Sequence, residues 1–322
     1  MDRQLRIVYM GTPDFALEPL RAILNEGYKV EAVVTMPDKP AGRGQKIRFS
    51  PVKEFAEQNN LLVLQPENLK DPLFFEELKR LHADLQVVVA FRMLPTQIWQ
   101  MPEYGTLNLH ASLLPQYRGA APINHAIMNG ETETGITTFF IEKEIDTGKI
   151  ILAERYPIYP TDDAGTLHDR LKEAGAQLIL KTLRLIETNQ VKEVFQQQLI
   201  TENTILKPAS KIFQSHCEIH WDSPCTTIHN LVRGLSPHPG AFSILSSKGS
   251  DKKKVKIFRT AFFQEPITAK PGTILLNDRK TLSVAASDGI IQILELQFEG
   301  KKRLSVTDFL NGNEIGSGSC FV

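Results

Sequence analysis

Short apolar runs alternate with amphipathic ones through the first half of the chain. Residues 5–10 form an apolar run of strand length, followed by Gly11 and then Asp14, a residue type that caps helix N-termini. Leu17, Leu20, Ile23 and Leu24 recur at helical spacing until Gly27, a residue that ends helices. Further strand-like runs lie at 30–35, 61–64 and 85–91, with helical patterns at 51–59 and 72–82 between them. Strands alternating with helices predict a parallel sheet covered on both faces. Residues 106–110 add a fifth strand, and 136–141 with 150–156 flank a turn at Asp146 as a hairpin. A long helix is predicted over 166–188, where Leu167, Leu171, Ala174, Leu178 and Ile186 form one apolar stripe.

The pattern then changes. From 190 to 207 the chain is polar and loses its period, as a linker does. Beyond it, short strands are predicted at 241–245, 255–259, 272–276, 283–286 and 290–296, with one helix at 226–235. Five short strands and a helix suit a small barrel of the OB type. The expected fold class is therefore α/β: an N-terminal Rossmann-like parallel-sheet domain over 1–189, a linker over 190–207, and a C-terminal OB-like β-barrel domain over 208–322.

Composition adds limits. The 322 residues are 42% hydrophobic and 23% charged, the profile of a globular protein. No apolar run approaches the roughly 20 residues that cross a bilayer, so no membrane association is expected. The N-terminus lacks a signal-peptide core, and three cysteines are too few for a disulfide framework, which together predict a cytoplasmic location. Net charge is zero, but residues 1–190 carry 21 basic against 25 acidic groups, and residues 191–322 carry 16 against 12. An anionic macromolecule at the second part fits this imbalance, and so does chance.

Asn108 and His110 stand two apart at the end of the fifth strand, so they share a face. Asp146 follows on a separate turn, Ile145-Asp146-Thr147-Gly148. Ligands of open parallel sheets bind at the carboxyl ends of the strands, where the connection direction reverses. That predicts a cleft lined by residues 10–14, 91–95, 110–120 and 143–148. Amide, imidazole and carboxylate together suit attack on a carbonyl. The Asn108 amide and a protonated His110 are donors to a developing oxyanion, imidazole moves the proton, and Asp146 holds the ring in one tautomer. Ser112 lacks the G-x-S-x-G setting of a nucleophile.

Three further motifs carry less. Gly11-Thr12-Pro13-Asp14 opens a helix as a phosphate loop does, but it lacks the glycine pattern and Pro13 removes an N–H; it reads as a cleft wall. The loop 36–53 holds five basic residues, one acid, three prolines and two glycines. It is expected to lack regular structure and to serve either as a phosphate contact or as a solvated surface. His216, Cys217, His220, Cys225 and His229 are spaced somewhat like zinc ligands. There is no C-x-x-C pair, and Ile219 and Trp221 have strand-core character, so no metal is expected.

With these residues in view, the chain resembles the methionyl-tRNA formyltransferase family along its whole length. The resemblance is carried by Gly11-Thr12-Pro13-Asp14-Phe15-Ala16, the run Pro37 to Gly44, Ser50-Pro51-Val52-Lys53, Asn108 to Pro115 with Arg118 to Ile123, and Asp146-Thr147-Gly148. In the C-terminal part it is carried by Ala209-Ser210-Lys211-Ile212, Arg233-Gly234-Leu235, Pro237 to Ala241 and Pro271 to Ile274. The resemblance implies formyl transfer from 10-formyltetrahydrofolate to the α-amine of methionyl-initiator tRNA, with no metal, by a monomer. It implies Asn108, His110 and Asp146 as catalytic residues. Ser112, Leu113, Leu114, Pro115, Phe91, Arg92 and Leu94 would line the folate site, and Lys39, Arg43, Lys46 and Arg48 would meet the tRNA. The family usually has glycine at the positions of Arg92 and Glu144, so both mark departures near the site. The Asn/His/Asp set alone also fits a formyltransferase of a small amine or a 10-formyltetrahydrofolate hydrolase.

Overall fold

The computed structural model describes residues 4–41, 46–246, 252–277, 280–313, 315–316 and 318–322. The chain divides into two compact units: Met1–Gly119 with Thr134–Pro157 and His168–Pro208, and Ala120–Glu133 with Ile158–Leu167 and Ala209–Val322.

The first unit is built on β1 (Arg6–Gly11), α1 (Leu17–Asn25), β2 (Lys29–Val34), α2 (Pro51–Gln58), β5 (Val63–Leu64), α3 (Pro72–Arg80), β6 (Leu85–Val89), α4 (Thr96–Trp99) and β7 (Thr106–His110). Between β2 and α2 lie β3 (Lys39–Ala41) and β4 (Lys46–Arg48). After β7 the chain passes through α5 (Pro122–Met128), which belongs to the second unit, then forms β8 (Glu133–Phe140), β9 (Ile150–Pro157) and α6 (Ala164–Glu187), whose first turn also falls in the second unit. One sheet runs β5-β2-β1-β6-β7-β8-β9. Its first five strands pair in parallel, and β8 runs antiparallel to β7. The Rossmann-like expectation is met.

Local chemistry explains this frame. In β6 all five residues are buried, as a strand covered on both faces requires. Ser50 and Asp71 accept backbone N–H bonds at the starts of α2 and α3, and each helix has proline in its first turn. Arg6 clasps Asp84 through its backbone N, Nε and Nη2 at 2.9, 3.1 and 3.0 Å, which ties the start of β1 to the entry of β6. Gly175 lets α6 approach β7 closely: a Cβ there would lie 2.7 Å from Leu109 Cδ2.

One expectation is corrected. The basic loop does have regular structure, because Lys39–Ala41 and Lys46–Arg48 pair antiparallel as a two-stranded ribbon. Prolines and glycines in the segment suggested otherwise, but an isolated ribbon has two edges, and Pro40 needs no N–H in a central ladder. The aperiodic stretch after α6 is ordered against the first unit. Val194 exchanges backbone bonds with Ile150 at 2.9 and 2.8 Å, and Lys207 O accepts from Tyr117 N at 2.7 Å.

In the second unit, α7 (Cys225–Leu235) precedes β10 (Ala241–Ser246), β11 (Lys253–Gln264), β12 (Ile274–Asn277), β13 (Leu282–Ala285), β14 (Gly289–Phe298), β15 (Leu304–Ser305), α8 (Val306–Gly312) and β16 (Cys320–Phe321), and packs on β10, β11 and β14. The order is β12-β13-β14-β11-β10-β16, and Thr273 bridges Cys320, which makes the antiparallel barrel nearly closed. Its core gathers Ile219, Trp221, Ile228, Val232, Val255, Ile257, Ile291, Ile293 and Phe309. Ile219 and Trp221 lie in this core without forming a strand. Of the spaced histidines and cysteines, Cys217, His216 and His229 have local partners. Cys217 Sγ donates to Phe213 O, His216 Nδ1 accepts from Phe213 N, and His229 Nδ1 meets Thr260 Oγ1 at 2.9 Å.

Candidate active site

The carboxyl ends of β1, β6 and β7 stand level, since Gly11 is opposite Val89 and Val89 is opposite Leu109. Strand order reverses between β1 and β6, with β2 and β5 on one side and β6 and β7 on the other. A crevice forms outside such a reversal. Gly11 has no room for a side chain there, because a Cβ would lie 2.6 Å from Ala16 Cβ and 3.1 Å from Val89 O.

The strand period puts Asn108 and His110 on one face of β7. Asn108 is half-buried, and its amide has no hydrogen-bond partner among the described residues. His110 is 7% exposed. Its Nε2 lies 2.8 Å from Tyr117 O. A carbonyl only accepts, so the neutral ring carries its proton on Nε2 and presents a lone pair at Nδ1. That Nδ1 faces Asp146 Oδ2 at 3.8 Å. The tautomer is thus held by the Tyr117 carbonyl rather than by Asp146, which corrects the expectation from sequence.

Asp146 is placed by backbone. It adopts a left-handed conformation, φ 54°, which Asp tolerates in turns. Its Oδ2 accepts from Gly119 N at 2.8 Å. Gly148 closes the turn where nothing larger fits, since a Cβ would lie 1.7 Å from Phe140 O. Glu144 is exposed. Burial holds the Arg118 guanidinium below its ordinary range, with Asp146 and Glu144 acting in the opposite direction.

The other predicted residues divide. Phe91 and Arg92 are half-buried beside exposed Met93, and Leu94 is buried in the core between sheet and helices. Arg92 donates from Nη1 to Glu67 O at 3.0 Å and from Nη2 to Pro66 O at 2.8 Å, and stacks over Phe91. Ser112 is fully buried and donates to Gln116 O at 2.6 Å, while its own carbonyl accepts from Thr137 Oγ1. Leu113 fills the space beside Gly135, Leu114 packs on Phe139 and Ile150, and Pro115 is buried. The side chains of 112–115 therefore brace the turn after β7. Lys39, Lys46 and Arg48 lie on the β3–β4 ribbon, and Arg43 lies outside the described residues. Sequence reasoning missed Tyr117 and Gly119, which act through backbone atoms, and Gln196, which binds the Arg118 guanidinium.

Residues 5–183 match the family model for formyl transferase, and residues 211–314 match that for the formyl transferase C-terminal domain. The methionyl-tRNA formyltransferase of Bacteroides thetaiotaomicron is 51% identical over 98% of this chain and 97% of its own. That of Flavobacterium johnsoniae is 49% identical over 96% of each. Among solved structures, an N-formyltransferase from Helicobacter canadensis in complex with folinic acid and dTDP-3-aminofucose matches with a TM-score of 0.63 at 21% identity, over 94% of this chain and 100% of that one. HypX from Aquifex aeolicus in complex with tetrahydrofolic acid matches at 0.64 and 18% identity, over 96% of this chain and 47% of that one; both likenesses are of fold. The chain belongs to the methionyl-tRNA formyltransferase family.

Proposed function

We propose that this protein transfers the formyl group of 10-formyltetrahydrofolate to the α-amine of methionyl-initiator tRNA, and that Asn108, His110 and Asp146 carry the reaction. One observation carries the assignment of the site: His110 Nδ1 lies 3.8 Å from Asp146 Oδ2, on the strand face that also bears Asn108 and its unbonded amide.

The amine nitrogen attacks the formyl carbon, and the carbonyl electron pair moves to oxygen. The Asn108 NH2 donates to that oxyanion, an interaction worth several kcal/mol when preorganised. The amine loses a proton to His110 Nδ1, and the resulting imidazolium forms beside the Asp146 carboxylate. As the adduct collapses, the bond from carbon to the folate N10 breaks and His110 returns the proton to that nitrogen. Tetrahydrofolate and the formamide leave, with charge and protons balanced. Imidazole suits this shuttle because it exchanges a proton near neutral pH.

In this reading the 91–94 loop and the backbone of 112–115 border the donor. Lys39, Lys46 and Arg48 on the β3–β4 ribbon, together with Arg43 from the sequence between the two strands, meet the acceptor end of the tRNA. Residues 208–322 hold its phosphates. The family relationship supports these placements.

The test is incubation with 10-formyltetrahydrofolate and charged initiator tRNA, followed by detection of N-formylmethionyl-tRNA. Donor consumption that proceeds equally with uncharged tRNA identifies a hydrolase and overturns the proposal.

A further inference from the structure

Gln196 opens a short 3-10 turn (Gln196–Leu199) in the aperiodic stretch after α6, yet it is only 1% exposed. Its Nε2 donates to Asp146 O at 2.9 Å and to Gly148 O at 2.8 Å. Its Oε1 accepts from Arg118 Nε at 3.0 Å and Nη2 at 2.6 Å. A primary amide has two donor hydrogens and two acceptor lone pairs. All four are used inside the protein, so none remains for a substrate.

These four bonds join two segments that also meet directly through Gly119 N and Asp146 Oδ2 at 2.8 Å. Residues 117–119 supply Tyr117 O to the His110 Nε2 and Gly119 N to the Asp146 carboxylate. Residues 146–148 supply the carboxylate itself. Both partners of the imidazole therefore depend on how these segments sit against each other. Gln196 grips Arg118 on one and the Asp146 and Gly148 carbonyls on the other. Asp146 is also held at φ 54°, in the left-handed region that residues with a Cβ adopt less readily than glycine. The Gln196 side chain is in turn anchored from behind, because its neighbour Val194 is bonded through both backbone atoms to Ile150.

We propose that Gln196 is a positioning residue of the formyl-transfer site: it staples the Asp146 turn to Arg118, so that the carboxylate faces His110 Nδ1. The inference rests on the catalytic reading of Asn108, His110 and Asp146 given above. An amide is the side chain that fits. A carboxylate would set an oxygen against the Asp146 and Gly148 carbonyls, and a cation would face the Arg118 guanidinium.

The test uses Gln196→Met, which keeps the shape without hydrogen bonds, Gln196→Glu, Asp146→Asn, and the double variant Gln196→Met with Asp146→Asn, all in the full chain. Both Gln196 variants are expected to lose about tenfold or more in kcat while KM for 10-formyltetrahydrofolate stays within about threefold. In the Asp146→Asn background, Gln196→Met should cost less than about threefold more, because the group it positions is already gone. A folded Gln196→Met variant with kcat within about twofold of wild type overturns the inference. So does a full further tenfold loss, about 1.4 kcal/mol, on top of Asp146→Asn, which marks a general structural role. If Gln196→Met does not fold, Gln196→Glu carries the same comparison. Asp146→Asn at the wild-type rate, by contrast, overturns the site assignment beneath the inference.

Discussion

His110 has its two ring nitrogens committed to different partners, one to the Tyr117 carbonyl and one to the space before Asp146. Removing His110 removes the proton shuttle, and removing the Asp146 charge leaves the imidazolium without its carboxylate, so His110→Ala and Asp146→Asn should each lower kcat by about 10²–10⁴. Affinity for tRNA should change little. Steady-state kinetics on charged initiator tRNA decide this, and near-normal turnover in either variant contradicts the mechanism. The Arg92 guanidinium holds the Pro66 and Glu67 carbonyls beside the proposed donor loop. Arg92→Gly should loosen that wall, raising the donor KM about fivefold with kcat nearly unchanged, which corresponds to about 1 kcal/mol. Asn108 and His110 were legible in the sequence because a strand places alternate residues on one face. Tyr117 and Gly119 were not, because their contributions are a backbone carbonyl and an N–H, which every residue type but proline carries. Gln196 was not, because a single amide in an aperiodic run leaves no pattern.

At the level of elements, the strands of the parallel sheet were readable because burial on both faces demands continuous apolar runs, as in Leu85–Val89. The short elements were not: Thr96–Trp99 is only four residues long, and the β3–β4 ribbon hid behind its prolines and glycines. The Asp146 turn is the element whose shape matters most to chemistry. Gly148→Ala would press a Cβ against backbone, 1.7 Å from Phe140 O, so the turn must shift and carry the carboxylate with it. The expected result is a kcat loss of about tenfold or more together with a lower melting temperature; an alanine variant with wild-type turnover contradicts this. In α7, burial, with a smaller push from Arg233, brings His229 down to about 4, against the Thr260 hydroxyl and the Phe262 ring. A histidine buried neutral favours folding fully above its ordinary value near 6.5 and loses that advantage as pH falls toward 4, because only the unfolded chain takes up the proton. Chemical denaturation at pH 7 and pH 4.5 should therefore show a smaller acid loss in His229→Gln than in wild type. An equal loss in both would place the acid sensitivity elsewhere.

For the molecule as a whole, zero net charge conceals the excess of four positive charges in residues 191–322. Part of that excess is concentrated. Lys252 and Lys253 lead into β11, Lys301 and Lys302 follow β14, and all four are exposed. The strands place them together, since Val255 is opposite Phe298 and Glu299 N bonds Lys254 O. Lysines grouped at one end of a β ribbon suit a polyanion, whose bound counterions return to solution when the ammonium groups replace them. If this patch meets tRNA phosphates, log affinity should fall linearly with log salt, with a slope of roughly −0.7 to −0.9 for each phosphate neutralised. Replacing Lys253 and Lys302 by glutamate should weaken tRNA binding and flatten that slope by about one for each phosphate no longer neutralised. The donor, a small molecule bound elsewhere in this reading, should keep its KM. Filter binding across a salt series separates the possibilities. A weakened affinity with an unchanged slope would mean that the lysines support the barrel without touching phosphate, and an unchanged affinity would remove the patch from the tRNA surface altogether.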